Sequence, residues 1–297
     1  MWPVCLWART AMNIPVLSLL LVTVVWGATF PVLKIATAQL SGIETSALRF
    51  VLAALCMLPW AWRASRRAWV DGAVLGALVL FSYVAQAIGL QHISSNRSAF
   101  LTSLNVLMVP MLGVLFGNPF SWRVVLAGLM ACVGIGLMSW DGGANAFADG
   151  ATVAGAAGYA LYVLLLSARA GKHAARTLAA TQIVWMAVLG ALWMVFASQG
   201  TDRMQTLAGR LHADVLWGLV YLGVVATAAM LFLQAQAQRH VSADKAALIY
   251  AMEPVFAALF AWVGLSEGLS MRAALGAALV VFAVVFGEYK PSRAKAD

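Results

Sequence analysis

Charged residues are scarce in this chain. Only 10% of the 297 residues are charged, whereas soluble globular domains carry about 25%. Apolar residues make up 63% of the chain, and the mean hydropathy is +0.88. If the chain formed two soluble domains, much of this apolar surface would have no core in which to be buried. The composition excludes an ordinary soluble protein and indicates a membrane protein.

Motifs for catalysis, metal binding and nucleotide binding are missing from the sequence. The three cysteines form no C-x-x-C motif, and the four histidines do not pair at metal-ligand spacing. There is also no P-loop, H-E-x-x-H, G-x-S-x-G or dinucleotide-binding motif. We therefore expect no enzymatic activity, no metal and no cofactor. The missing P-loop also argues against ATP-driven transport by this chain alone.

Long apolar runs are what the sequence does contain. A run of about 20 apolar residues can span a bilayer. The first run is too long for a signal-peptide core and contains Trp26, Gly27 and Pro31, so we retain it as a helix. The sequence therefore predicts an all-α polytopic membrane protein with ten transmembrane helices and short connectors. The predicted spans are 14–34, 43–62, 69–90, 98–117, 122–140, 150–168, 177–198, 213–233, 245–264 and 270–288.

The net charge of +8 is distributed unevenly between the two sides of these predicted spans. If both termini are cytoplasmic, thirteen lysines and arginines lie on the cytoplasmic side and five on the opposite side. Cytoplasmic loops of membrane proteins carry such an excess of positive charge. We therefore expect a multi-pass inner-membrane protein with both termini in the cytoplasm. The basic excess reflects topology, and a nucleic-acid partner is not expected.

The two halves of the chain resemble each other at a constant spacing of 148 residues. The matched pairs are Trp69 and Trp217, Gln86 and Gln234, His92 and His240, and Ser94 and Ser242. Each half has five predicted helices, so the second half enters the membrane from the opposite face. Inverted repeats of this kind are typical of secondary transporters. We predict a first five-helix repeat over 1–140 and a second over 141–297, forming one integral membrane unit.

Five segments, in their order and spacing, resemble a known family of transporters. They are Trp26–Phe30, Leu48–Phe50, Gly89–Asn105 followed by Val109-Pro110, Glu253–Phe256, and Gly264–Ser270. In these segments the chain is similar to EamA-type members of the drug/metabolite transporter superfamily, and most of all to the YddG-type amino-acid exporters. One departure is Asn118, which stands in the first-half connector where glutamate is common in the family.

This resemblance implies both a fold and a function. The expected fold is a basket of ten helices in two inverted repeats, with a central cavity lined by helices 1, 3, 4, 6, 8 and 9. The expected function is export of amino acids or other small metabolites by alternating access between the repeats. The expected partners are the small-molecule substrate and the lipid bilayer, with the protein acting as a monomer or homodimer.

Polar and aromatic side chains within the spans are the candidates for a substrate site, because polar groups in hydrocarbon tend to face the bundle interior or water. Leu101 and Met108 join them because they share a helical stripe with Asn105. The candidates lie on helical stripes that mix aromatic rings with amide and hydroxyl groups. Such a lining suits a substrate with an apolar side chain and a zwitterionic end. The candidates are Trp26, Thr29, Tyr83, Gln86, Leu101, Asn105, Met108, Tyr159, Tyr162, Gln234, Tyr250 and Glu253.

Several of these side chains also have structural explanations. Gln86 and Gln234 could be interhelical hydrogen-bond partners. Glu253 is the only acidic residue well inside a predicted span, where it could bind a proton or a substrate ammonium. It could equally lie in water at the cytoplasmic mouth or bond to backbone groups near Pro254. Arg49 is expected to extend to the membrane interface.

Other function classes make different demands on the sequence. A multidrug or toxic-cation exporter is the main alternative, and it would be expected to have more acidic residues near aromatic rings inside the membrane. A channel would be expected to show a repeated selectivity element, which is not evident. A non-transporting membrane scaffold is the third alternative. The sequence therefore favours an exporter of amino acids or related metabolites.

Overall fold

The computed structural model describes residues 14–139, 145–197, 207, 209–265 and 270–288, and within these ranges every regular element is helical. The predicted all-α fold with ten helices in two repeated halves is confirmed. The helices are α1 (Ile14–Gly27 and Thr29–Gln39), α2 (Gly42–Ala61), α3 (Arg66–Leu90), α4 (Ser95–Ser103 and Asn105–Leu115), α5 (Trp122–Ser139), α6 (Ala146–Ala170), α7 (Ala175–Ala197), α8 (Ala213–Val220, Tyr221–Ala229 and Met230–Ala237), α9 (Ala243–Tyr250 and Glu253–Leu265) and α10 (Met271–Glu288).

Seven of these helices, α1–α4 and α6–α8, are long and apolar enough to cross a membrane by length and composition. The apolar stretches of α5 and α10 are shorter, at Trp122–Met138 and Met271–Gly287. Some helices extend beyond the predicted spans: α3 starts at Arg66, and α6 covers Ala146–Ala170. They are longer because polar residues at their ends continue the helix past the apolar run that marks it in the sequence.

Polar caps fix where several helices begin. The side chains of Ser41, Ser65, Ser94 and Asn145 each accept a hydrogen bond from the backbone N–H three residues later. At Ser41 the carboxylate of Glu44 also accepts from the cap's backbone N–H, which completes a capping box. Each such cap stabilises its helix by about 1 kcal/mol. The caps therefore allow connectors of only a few residues.

The connector after α4 ends the helix in a Schellman motif. The Asn118 N–H donates to the Gly113 carbonyl, and the Gly117 N–H donates to the Val114 carbonyl. Gly117 has a φ of 83°, a left-handed conformation that favours glycine. The second-half counterpart of this connector, Gly264–Ser270, lies partly outside the described residues. So do both termini and the predicted boundary between the two halves.

Small residues bring helices into close contact. A Cβ added to Gly155 of α6 would lie 2.9 Å from the carbonyl oxygen of Ser82 on α3. A Cβ added to Gly134 of α5 would lie 2.7 Å from the carbonyl oxygen of Gly276 on α10. Small residues are the usual means by which membrane helices approach one another, because lipid gives no hydrophobic force between them. These glycines therefore set the spacing of the α3–α6 and α5–α10 pairs.

Four helices are interrupted near their midpoints. The backbone breaks at Ala28 in α1, at Leu104 in α4 and at Ala251–Met252 in α9. Leu104 and Met252 are 148 residues apart, so these two breaks are equivalent in the repeat. In α8 the interruption is a π-helical segment over Tyr221–Ala229. These interruptions leave some backbone groups to be satisfied by side chains of neighbouring helices.

Candidate functional site

A cavity lies between the middle sections of six helices, α1, α2, α3, α4, α6 and α9. Its lining consists of Trp26, Thr29, Arg49, Ser82, Tyr83, Gln86, Thr102, Asn105, Tyr159 and Glu253. The sequence predicts seven of these ten residues as cavity candidates. It also predicts lining from α8, whereas the structure has α2 in the lining and α8 behind it.

The cavity is narrow. The centres of water molecules can occupy about 30 Å³ of it. One water needs about 10–15 Å³ by this measure, so there is room for two or three. The cavity in this structure is therefore smaller than an amino acid.

The α3 stripe faces the cavity as its spacing predicts. Tyr83 and Gln86 are one helical turn apart and both line the cavity. The Gln86 amide donates to the Thr102 hydroxyl at 3.0 Å, which ties α3 to α4. Across the cavity, the ring of Trp26 meets the ring of Tyr159 edge to face, with centroids 5.9 Å apart. The lining therefore combines aromatic surface with amide and hydroxyl groups.

The other five predicted residues do not line the cavity. They are Leu101, Met108, Tyr162, Gln234 and Tyr250. The Gln234 amide donates to the Tyr159 hydroxyl at 2.9 Å and accepts from the Tyr162 hydroxyl at 3.2 Å. Gln234 is therefore an interhelical partner that orients Tyr159 from behind. The two repeat-related glutamines differ, since Gln86 lies at the cavity and Gln234 in the layer behind it.

Arg49 points into the bundle, so the expectation that it extends to the membrane interface is wrong. Only 5% of the residue is exposed. Its Nε and Nη2 donate to the Thr227 hydroxyl at 3.1 and 2.9 Å, and its guanidinium lies 4.9 Å from the ring centroid of Tyr83. These partners stabilise the buried charge. Thr227 is 178 residues away along the chain, so sequence spacing gave no signal of the contact.

Glu253 supplies the one carboxyl group of the lining. The break in α9 places it in the first turn of the second helical segment, where the helix dipole stabilises a carboxylate. Gly27 of α1 packs closely here, because an added Cβ would lie 3.0 Å from the Glu253 carbonyl oxygen. In the described part of the chain, no ion pair joins Glu253 to Arg49. The guanidinium and the carboxyl group therefore lie in one cavity without bonding to each other there.

Comparisons with known proteins agree with this architecture. Two proteins of Archaeoglobus fulgidus are each described as an uncharacterized transporter. The first is 29% identical over 272 residues, which cover 91% of this chain and 84% of that protein. The second is 22% identical over 287 residues, which cover 90% and 95%.

A solved crystal structure of a protein superimposes with a TM-score of 0.74 at 15% identity, covering 92% of this chain and 97% of that one. At this identity the likeness concerns the fold alone. The EamA-like transporter family matches residues 13–140 and 147–287, which together are nearly the whole chain. The matched segments contain all ten residues of the cavity lining. The chain is a membrane transporter that belongs to the EamA-like transporter family.

Proposed function

We propose that this protein exports amino acids or closely related zwitterionic metabolites across the inner membrane by alternating access. The observation that carries the proposal is one cavity whose lining contains both a guanidinium and a carboxyl group. Arg49 comes from the first repeat, Glu253 comes from the second, and no ion pair joins them within the described residues. A guanidinium binds a carboxylate through two parallel hydrogen bonds. Glu253 provides a counter-charge for the substrate ammonium.

The aromatic lining supports an apolar substrate side chain. Trp26, Tyr83 and Tyr159 present ring surfaces to the same cavity as the two charges. Such rings pack well against aliphatic or aromatic side chains, while the Trp N–H and Tyr O–H groups can still form hydrogen bonds. Trp26 also contacts Tyr250, with ring centroids 5.5 Å apart, so a second aromatic layer backs the first. Neutral amino acids with apolar side chains are therefore the favoured class.

The transport cycle is proposed to involve α8. Its Thr227 hydroxyl accepts from Arg49 and donates to the Leu222 carbonyl inside the π segment at 2.7 Å. A substrate carboxylate that engages the guanidinium competes with this hydroxyl. Loss of the Arg49 bond frees the π segment to change its helical geometry, and π segments are often found at functional sites. Substrate occupancy is thereby coupled to the conformation of α8.

The proposed direction of transport and the proposed orientation in the inner membrane are supported by other observations. Outward transport is what the resemblance to the amino-acid exporters implies. The proposed cytoplasmic location of both termini is supported by the excess of basic residues that this orientation places in the cytoplasm. We propose transport down the gradient of the substrate itself, because the lining has a single carboxylate.

A toxic-cation exporter is the second candidate. One observation favours it: the carboxylate of Glu253 shares the cavity with Trp26 and Tyr159, and aromatic rings beside a carboxylate suit a quaternary ammonium. Arg49 argues against it, because a buried guanidinium in the same cavity repels a cation. A quaternary ammonium also has no anionic group with which the guanidinium could pair.

Uptake into proteoliposomes separates the two candidates. The purified protein is tested with a panel of radiolabelled neutral amino acids and a panel of quaternary amines. We expect saturable uptake of apolar amino acids, competed by other amino acids and far less by their methyl esters, which have no carboxylate. Saturable uptake of quaternary amines without uptake of amino acids would contradict the proposal.

A further inference from the structure

A second site lies where the start of α3 meets the turn between α6 and α7. We call it the basic cleft, and its lining is Arg66, Arg67, Val70, Asp71, Lys172 and His173. Water centres can occupy about 700 Å³ of it, against about 30 Å³ in the central cavity. The two sites share no lining residue. The basic cleft is therefore large, open and separate from the proposed substrate site.

Asp71 holds the wall of the basic cleft in place. Its Oδ1 accepts from the Arg169 Nε at 2.8 Å, and its Oδ2 lies 2.7 Å from the His173 Nε2. These contacts join α3 to the end of α6 and to the following turn. The carboxylate is thereby already paired with a guanidinium. The wall is preformed, and its one negative charge is neutralised.

Three positive charges in the cleft lack a counter-charge. The side chains of Arg66, Arg67 and Lys172 are exposed. Within the described ranges, no ion pair or hydrogen bond engages their charged groups. Like charges that converge on one cleft repel one another, and an anion bound between them removes that repulsion. Guanidinium and ammonium groups are the usual ligands of phosphate oxygens.

We propose that the basic cleft binds a phosphate group, carried either by an anionic phospholipid or by a soluble phosphate compound. Val70 lines the cleft, and Val74 follows one turn later on the same face of α3. Both are exposed, at 58% and 39%, so an acyl chain can lie along α3 below the headgroup. Basic pockets between membrane helices are known to take anionic headgroups. This apolar continuation favours the lipid.

The test uses the purified full-length protein in detergent. Native mass spectrometry measures retention of dioleoylphosphatidylglycerol against dioleoylphosphatidylcholine, which has the same acyl chains and no net charge. A separate titration follows thermal unfolding in glycerol 3-phosphate. The test variant is Arg66→Gln/Arg67→Gln/Lys172→Gln. The control is Arg63→Gln/Arg176→Gln/Arg239→Gln, which removes the same charge from exposed residues that do not line the cleft.

We expect the wild type and the control to prefer phosphatidylglycerol. The cleft variant should lose at least about tenfold in apparent affinity, since each basic side chain near an anionic surface contributes roughly fivefold. Lys172→Gln alone should lose a smaller part of the apparent affinity. This single variant keeps the proposal testable if the triple variant does not fold. If glycerol 3-phosphate stabilises the protein with the same variant pattern and the lipid does not, the phosphate site stands with a soluble ligand.

Two results would overturn the proposal. One is equal retention of the two lipids by the wild type together with no effect of glycerol 3-phosphate. The other is an equal loss in the cleft variant and in the control, because total charge would then explain the binding. Neither result depends on transport, so the proposal and the proposed function can fail separately.

Discussion

The α3–α6 pair and the α1–α8 pair are equivalent in the two repeats and differ in regularity. Helices α3 and α6 are each unbroken over 25 residues. Helix α1 is divided at Ala28, and α8 contains the π segment Tyr221–Ala229. Two copies of one helix pair have therefore become a regular pair and an interrupted pair. Under the proposed alternating access, the regular pair would be the fixed frame and the interrupted pair the part that moves.

Contacts along the regular pair explain its straightness. Its two ends are held by Asp71 with Arg169 and by Gly89 packed on Thr152. Backbone groups are paired within each helix, so neither helix needs the other's side chains for hydrogen bonding. If one helix slid past the other, the contacts at both ends and the contact of Gly155 with the Ser82 carbonyl would all have to break at once.

The interrupted pair satisfies backbone groups across helices instead. The Trp26 indole N–H donates to the Ala226 carbonyl at 2.9 Å, and the Tyr221 hydroxyl donates to the Val25 carbonyl at 2.8 Å. Such bonds can be exchanged one at a time. Arg49 touches both pairs, because it lies over Tyr83 of α3 and bonds to α8. In the proposed transport cycle, Arg49 is therefore the side chain through which a substrate acts on one pair relative to the other.

The largest effect is expected from a substitution that separates the two helices of the regular pair. Gly155→Val should push α6 away from the Ser82 carbonyl, only 2.9 Å from the position of an added Cβ. Overpacking of this kind costs about 1–3 kcal/mol, and we expect a lower thermal unfolding midpoint in detergent and loss of transport. Gly150→Val on the same helix is the matched control, since nothing lies within 4 Å of its added Cβ. Equal melting of both variants would show that the contact does not hold the pair.

The next largest effect is expected from replacing Arg49, which contacts both helix pairs. Arg49→Gln should lower amino-acid uptake by about 30-fold or more, because a substrate carboxylate left without its charged partner loses about 2–5 kcal/mol. Arg49→Lys keeps the charge without the planar fork, and its uptake should be intermediate. Uptake is measured in proteoliposomes at matched protein content, with size-exclusion profiles as the folding control. Wild-type uptake by Arg49→Gln would exclude Arg49 from the substrate site.

A smaller effect sharpens the role of the π segment. Thr227→Val keeps the shape of the side chain but removes the hydroxyl that bonds both Arg49 and the Leu222 carbonyl. A hydrogen bond to a charged group contributes about 1.5–3 kcal/mol. We expect the maximal transport rate to change by roughly tenfold, with a weaker effect on substrate affinity. Thr227→Ser retains the hydroxyl and should behave like the wild type. If the valine and serine variants are alike, the hydroxyl does not couple the substrate to α8.

The smallest effect is expected at Glu253, which is half-buried and lines the cavity. Glu253→Gln should weaken amino-acid binding by about fivefold, since water screens part of its attraction for the ammonium. Binding of a carboxylic acid that lacks the amino group should not change. Competition binding to the purified protein checks both. Accumulation driven by a pH difference in the wild type, abolished in this variant, would mean that the carboxylate carries a coupling proton instead.

The sequence predicts the regular helices better than the interrupted ones. Apolar runs and the 148-residue spacing predict the helices and the repeat, because both depend on composition over many residues. Tyr83 and Gln86 lie on one stripe and line one cavity, since a regular helix obeys its own period. Where the helix is regular, local pattern is enough.

The remaining features depend on single contacts between distant residues. The bond of Arg49 to Thr227 has no periodic signature, so burial of the guanidinium could not be predicted. The π segment Tyr221–Ala229 is nine mostly small or apolar residues, whose composition does not separate π from α geometry. Gln86 and Gln234 look identical in the repeat, and only their neighbours decide which one lies at the cavity. Position within the packed bundle, rather than residue type, separates them.

A π segment contains more residues per turn than the α-helix on either side of it. If α8 became α-helical throughout, one surplus residue would pass out of the segment. The following stretch, Met230–Ala237, would advance by about 1.5 Å and turn by about 100° about its axis. Gln234 lies on that stretch and holds the Tyr159 hydroxyl at 2.9 Å. Such a screw motion would withdraw the amide from Tyr159, so a substrate carboxylate bound at Arg49 would release a side chain that lines the cavity.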